Sequence, residues 1–170
     1  SQFSSYCYKQ EWYYKKGGCL GISIISSQLD MGTRWMREHE VDFIRALLFV
    51  LKDASPEMAN VNTAEATQTL AHVLKVCNRP DDDESQESQQ KFQNLIALLL
   101  SELSNSNSTV RETIQSSFQL LADLTGNEVT ELLAPVRERL VAPIFAKPLR
   151  ALPFAMQIGH IDAITYCLTL

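Results

Sequence analysis

The side chains that could carry chemistry here are three histidines, four cysteines, a cluster of glycines and several carboxylate pairs. Two histidines one helical turn apart with a glutamate between them would bind zinc, and cysteines in CxxC spacing would hold a metal or exchange disulfides. Neither spacing occurs. His39, His72 and His160 are far apart, and Cys7, Cys19, Cys77 and Cys167 form no close pair in sequence. His72 sits beside Leu70 and Val73 in a core-like helical stretch, where a structural role is expected. The four thiols read as buried, in a reducing compartment. Gly17, Gly18 and Gly21 spell GGxxG, not the GxGxxG of a phosphate cradle, and no strand pattern precedes them. Close helix approach is the expected use of those glycines. The GxSxG nucleophile elbow is absent. Glu38 with Glu40, and Asp81–Glu84, read as solvated carboxylates with no burial to raise their pKa. The expectation is a chain without catalytic residues, cofactor site or metal ligands, and without ATP binding or turnover.

Charge and hydropathy narrow the partners. The chain has 170 residues, 45% of them hydrophobic, and a net charge of −5, enough for an ordinary core without staples. An acidic balance argues against nucleic-acid binding through bulk charge. The basic residues Arg137, Arg139, Lys147 and Arg150 do not align along one helix face, so a solvated face or a protein contact is expected. No apolar run approaches the roughly 18 residues of a membrane span, and Ser1–Lys16 is aromatic and polar, unlike a secretory leader. The absence of an initiator Met, and an end inside an apolar-periodic stretch, read as a piece of something longer.

The elements are helical. Leu95, Ile96, Leu99, Leu100 and Leu103 make one stripe, and Val110, Ile114, Phe118, Leu121 and Leu124 make another. Between them Ser104–Ser108 reads SNSNS, where Asn107 or Ser108 can cap the second helix, and Gly126 supplies its stop. Phe43, Ile44, Leu47, Leu48 and Leu51 repeat the first stripe at a shift of 52, and Ala66, Leu70, Val73 and Val76 repeat the second at 48. Asn62 with Glu65 predicts a capping-box start for the earlier second helix. Such self-similarity marks a two-helix solenoid. The spacing also predicts a helix over Tyr13–Leu29, a solvated acidic loop over Arg79–Ser88, and a helix over Glu128–Leu140 split by Pro135. An irregular apolar connection is expected over Pro143–Phe154, and a last stripe of Ile161, Ile164, Tyr166 and Leu168. The fold class is therefore all-α, an α-solenoid of antiparallel hairpins at about 3–30, 35–79, 88–125 and 127–170, with roughly 60–75% helix and no sheet. Leu99, Leu103, Phe118 and Leu121 should form the buried seam of the third hairpin. Apolar patches are expected at Tyr6–Tyr14 and Ile161–Leu170, with marginal stability and self-association in the isolated chain.

Particular segments resemble known proteins. NLIALLLSELSNSNSTVRETIQSSFQLLADL resembles a HEAT repeat, with Val110-Arg111 at the dipeptide that opens the second helix. The usual Asp of the turn falls among Asn105–Ser108, which leaves the Asp–Arg ladder open. EWYYKKGGCLGI and LLAPVRERLVAPIFAKPLRALPFAMQIGHIDAITYCL resemble the helical-repeat region of the transformation/transcription domain-associated protein family, in a fungal member. That resemblance implies a nuclear, non-catalytic, PIKK-like coactivator scaffold of SAGA-type histone acetyltransferase complexes. Its implied partners are protein subunits of those complexes and transcription activators, with no small-molecule substrate, nucleic acid or membrane. An alternative is a HEAT segment of another giant scaffold, such as an active PIKK kinase or a nuclear transport receptor. No partner-binding residue follows from the sequence.

Overall fold

A computed structural model of the chain describes residues 1–53, 56–80, 85–139, 142 and 146–170, with the backbone alone over 56–61. Helix accounts for 80% of it, somewhat above the expected range, and no strand occurs among the described residues. The chain divides into two compact units, Ser1–Lys91 and Phe92–Leu170.

In the first unit α1 spans Gln2–Cys7, α2 Trp12–Ser27, α3 Thr33–Lys52 and α4 Pro56–Cys77. Helix α3 packs against α4, α4 also against α2, and α1 lies on α2 and α3. The α3 stripe of Phe43, Ile44, Leu47, Leu48 and Leu51 is buried, as are Ala66, Leu70 and Val73 of α4. Each such large apolar side chain contributes roughly 1.5–3 kcal/mol. Asn62 is not a cap. It lies in the second turn of a helix that begins at Pro56, is buried, and donates to the Trp12 carbonyl at 3.4 Å. Proline suits a first helical turn because the N–H it lacks has no acceptor there.

The α2 glycines divide by role. A Cβ on Gly18 would lie 2.7 Å from the Phe3 carbonyl oxygen and 2.9 Å from the Cys7 amide nitrogen, both backbone atoms, whereas one on Gly17 meets nothing within 4 Å. A Cβ on Gly21 would strike the Phe3 ring, a side chain that can turn aside. Gly18→Ala should therefore cost about 2 kcal/mol by forcing α1 off α2. Gly17→Ala should gain up to about 1 kcal/mol from helix propensity. Urea unfolding of the two variants checks this, and equal effects would mean that α1 does not dock at Gly18.

Helix α5 (Gln86–Ser101) begins in the first unit, and its part within the second supplies the buried residues Leu95, Ile96 and Leu99. Helix α6 spans Ser108–Thr125. Its N-terminus is closed by Asn107, whose Oδ1 accepts from Thr109 N–H at 2.8 Å and Val110 N–H at 3.4 Å. Gly126, at φ 70°, ends it in the left-handed conformation that favours glycine. Leu99, Leu103, Phe118 and Leu121 are all buried, as the expected seam requires. Helix α7 (Val129–Leu133) opens with a Glu128/Glu131 capping box. It gives way to a 3-10 turn over Ala134–Val136, where Pro135 removes a backbone donor. After a 3-10 turn at Leu149–Ala151, α8 (Phe154–Thr169) starts directly behind Pro153.

The expected α8 stripe needs correcting. Ile161 and Leu168 face outward at 50% and 82% exposure, while Gly159 and Ala163 are the buried residues of that helix. A Cβ on Gly159 would collide with the carbonyl oxygens of Ser104 and Asn105, so the helix docks through its smallest side chains. The acidic residues Asp81–Glu84 lie outside the described residues, as do 143–145 of the proline-punctuated connection.

Candidate functional site

The histidines each meet a backbone carbonyl rather than one another. His39 Nδ1 lies 2.9 Å from the Trp35 oxygen, with its ring stacked on Trp35 at 4.1 Å. His72 Nε2 lies 3.3 Å from the Ser26 oxygen, and His160 Nδ1 2.8 Å from that of Met156. Cys7, Cys19 and Cys77 are buried free thiols, and Cys167 is half-buried. Cys7 and Cys19 are hydrogen-bonded to each other, which together with burial pushes the Cys19 thiol up. Among the described residues no group of histidines, cysteines and carboxylates could hold a metal ion, and no helix is long and apolar enough to cross a membrane. Arg137, Arg139, Lys147 and Arg150 are exposed.

Glu40 corrects the reading of a solvated carboxylate. It is 4% exposed, accepts a hydrogen bond from Asn78 Nδ2, and burial pushes its carboxyl up to about 7. The signal was present in the sequence, since Glu40 precedes Phe43 and Ile44 by three and four residues and so shares their face. The folded state holds this proton more tightly than the unfolded chain does. Its contribution is therefore full below pH about 4.5 and is lost as pH rises through about 7. Glu40→Gln keeps an acceptor for Asn78 and removes the buried charge. It should raise stability on the order of 1–2 kcal/mol at pH 8 and change little at pH 4.5. Denaturant unfolding at both pH values checks this. A loss at pH 8 would mean that Arg37 and Asn78 hold the ionised form favourably.

The surface best suited to recognition is an aromatic face where α1 meets α2. Tyr8, Trp12, Tyr13 and Tyr14 are each at least 40% exposed. Neighbouring rings interlock: Trp12 with Tyr13 at 6.0 Å, Tyr13 with Tyr14 at 5.1 Å, Tyr14 with Tyr6 at 5.5 Å, and Tyr6 with Phe3 at 6.4 Å. Phe49 of α3 joins them through Tyr8 at 4.9 Å. Beneath lies Lys15, only 2% exposed. Its ammonium donates to the Cys7 carbonyl at 3.2 Å, sits 3.7 Å from Asp53 and stands 4.8 Å over the Phe49 ring. One buried cation thus joins the ends of α1 and α3 to α2, and the Asn62 contact to Trp12 adds α4. Trp and Tyr on a braced backbone are the residue types that dominate protein interfaces, giving large contact area for few rotatable bonds. The apolar run Tyr6–Tyr14 was visible in the sequence. The Lys15 brace and the Phe49 contribution depend on tertiary packing, which local patterning does not report.

Comparisons with known proteins agree with this architecture. The sequence profile of the family described as Tra1 HEAT repeat ring region matches residues 1–170. The chain is 37% identical over 169 residues to the SAGA complex/NuA4 acetyltransferase complex subunit TRA1 of Saccharomyces cerevisiae, covering 99% of this chain and 4% of that protein. It is 36% identical to the Schizosaccharomyces pombe subunit of the same description, over 98% of this chain and 5% of that one. To the transformation/transcription domain-associated protein of Homo sapiens it is 34% identical, over 96% of this chain and 4% of the relative. The chain thus spans about a twentieth of the length of these relatives or less. With the match running from the first residue to the last and the helices packed as above, the chain belongs to the Tra1 HEAT repeat ring family.

Proposed function

We propose that this chain is a non-catalytic segment of a HEAT-type scaffold subunit of SAGA- and NuA4-type acetyltransferase complexes. It acts in the nucleus by protein contact, in a parent that recruits transcription activators. The observation that carries the reading is the family match over residues 1–170. The hairpins at about 3–30, 35–79, 88–125 and 127–170 serve as successive repeat units. The aromatic face receives a neighbouring helical repeat of the same polypeptide. Supporting this occupant, repeats of a solenoid bury their apolar faces against adjacent repeats, and the relatives carry far more chain than this segment.

The test uses the full parent protein, tagged and purified from cells, as wild type and as Trp12→Arg/Tyr13→Arg. Wild type should bring down acetyltransferase subunits with histone acetylation activity, and the purified chain should show no saturable ATP binding by calorimetry. The double variant should increase protease cleavage near residues 1–30 in the parent, because two charges enter a repeat interface. Purified parent lacking acetyltransferase subunits would overturn the scaffold assignment. Loss of one defined subunit with cleavage unchanged would instead place a partner protein on the aromatic face.

A further inference from the structure

Away from the aromatic face, the first unit holds a cavity of about 460 Å3 walled by Arg34, Arg37, Lys91, Glu87, Ser85 and Ser88, where α3 and α5 both begin. Three cations and three hydroxyls, those of Thr33, Ser85 and Ser88, face one space. Arg37 is fixed there by its Nε, which donates to the Cys77 carbonyl at 2.8 Å. Arg34 pairs with Glu38 at 3.4 Å and Lys91 with Glu87 at 3.1 Å, in solvated i,i+4 contacts of the weak, exchangeable kind. Ser85 precedes the first residue of α5 and its Oγ accepts the Ser88 N–H at 3.2 Å. Ser85 is exposed, Ser88 is half-buried, and both stand directly before a glutamine, as Ser85-Gln86 and Ser88-Gln89.

We propose that Ser85 and Ser88 are phosphorylation sites of a glutamine-directed serine kinase, and that Arg34, Arg37 and Lys91 receive the phosphate. In the transfer, the serine Oγ bonds to the γ-phosphorus of ATP and the bond from that phosphorus to the β-phosphate oxygen breaks. ADP leaves with the electron pair, and the hydroxyl proton passes to the kinase's general base. The product carries about −1.5 to −2 charge and three strong acceptor oxygens. A dianion outcompetes the single charges of Glu38 and Glu87 for Arg34 and Lys91 through shorter, charge-assisted hydrogen bonds. It also lies in the first turn of a 16-residue helix, where negative charge is favoured. Phosphorylation thereby ties the start of α5 to the start of α3. This inference stands apart from the scaffold assignment and survives its failure.

Two measurements test it. Mass spectrometry of the parent protein, purified from growing cells under phosphatase inhibition, should find phosphate on the peptide containing Ser85 and Ser88. Recovery of that peptide with neither serine modified overturns the modification. Separately, phosphoserine installed at position 88 during translation is titrated by phosphorus NMR. Its second ionisation should fall from about 6, the value in the free peptide, to about 5.5 or lower. Arg34→Gln/Lys91→Gln should return it to about 6, and these residues are chosen because neither anchors the fold as Arg37 does. A value equal to the peptide's before any substitution overturns the receiving role.

Discussion

Phe118→Ala should destabilise the Phe92–Leu170 unit by about 3–5 kcal/mol, the cost of a buried aromatic that leaves a cavity. Phe118 has no exposed surface, and Ile114, Leu121 and Ala122, its neighbours on the same face of α6, have none either. Interiors pack at crystal-like density, so the residues around the lost ring recover only part of their contacts. A ring removed from the surface behaves differently. Phe154 is 77% exposed, and Phe154→Ala should change stability by less than about 0.5 kcal/mol. Urea unfolding of both variants, with light scattering to hold association constant, gives the comparison. A Phe118→Ala effect below about 1 kcal/mol would mean that the α6 register places another residue in the seam.

How much could be read from the sequence depends on how local each determinant is. Helix α6 was legible in full because its stripe, its Asn107 cap and its Gly126 stop all lie within one segment. The same kind of signal misled at Asn62, since a polar residue followed three positions later by glutamate is also an ordinary helix interior, and α4 begins earlier, at Pro56. Glu40 was legible in principle, one turn ahead of a core stripe. Lys15 was not. Nothing local to Lys15 marks it for burial, which comes from the Cys7 carbonyl, Asp53 and Phe49 converging on it from α1 and the end of α3. The docking face of α8 was lost for a related reason: hydrophobicity marks Ile161 and Leu168, whereas the close backbone approach selects Gly159 and Ala163. As for the candidate site, sequence placed its aromatic residues but not what holds them still.

Arg111→Ala should cost about 3 kcal/mol and release α8 in particular. The resemblance to a HEAT repeat left the acidic partner of Arg111 open, and it comes from far along the chain. Arg111 Nε donates to Asp162 Oδ2 at 2.7 Å, and Nη1 donates to the Asn105 carbonyl at 2.7 Å. One guanidinium, 6% exposed, therefore holds α6, the turn before it and α8 together. The two bonds are unequal in consequence. The Asp162 side chain is 42% exposed, so water can replace its partner and solvent screening limits the ion pair to about 1 kcal/mol. The Asn105 carbonyl is part-buried against α8, and losing a charged donor there costs about 1.5–3 kcal/mol. Arg111→Lys keeps the charge, but a single ammonium cannot span both acceptors as the rigid fork does, so it should recover less than half of the loss. The expected order of destabilisation is Arg111→Ala, then Arg111→Lys, then Asp162→Asn. Hydrogen exchange should rise across Phe154–Thr169 in the first variant while the amides around Phe118 stay protected. If Asp162→Asn cost as much as Arg111→Ala, the ion pair would be the anchor of α8, and the carbonyl bond would be incidental to it.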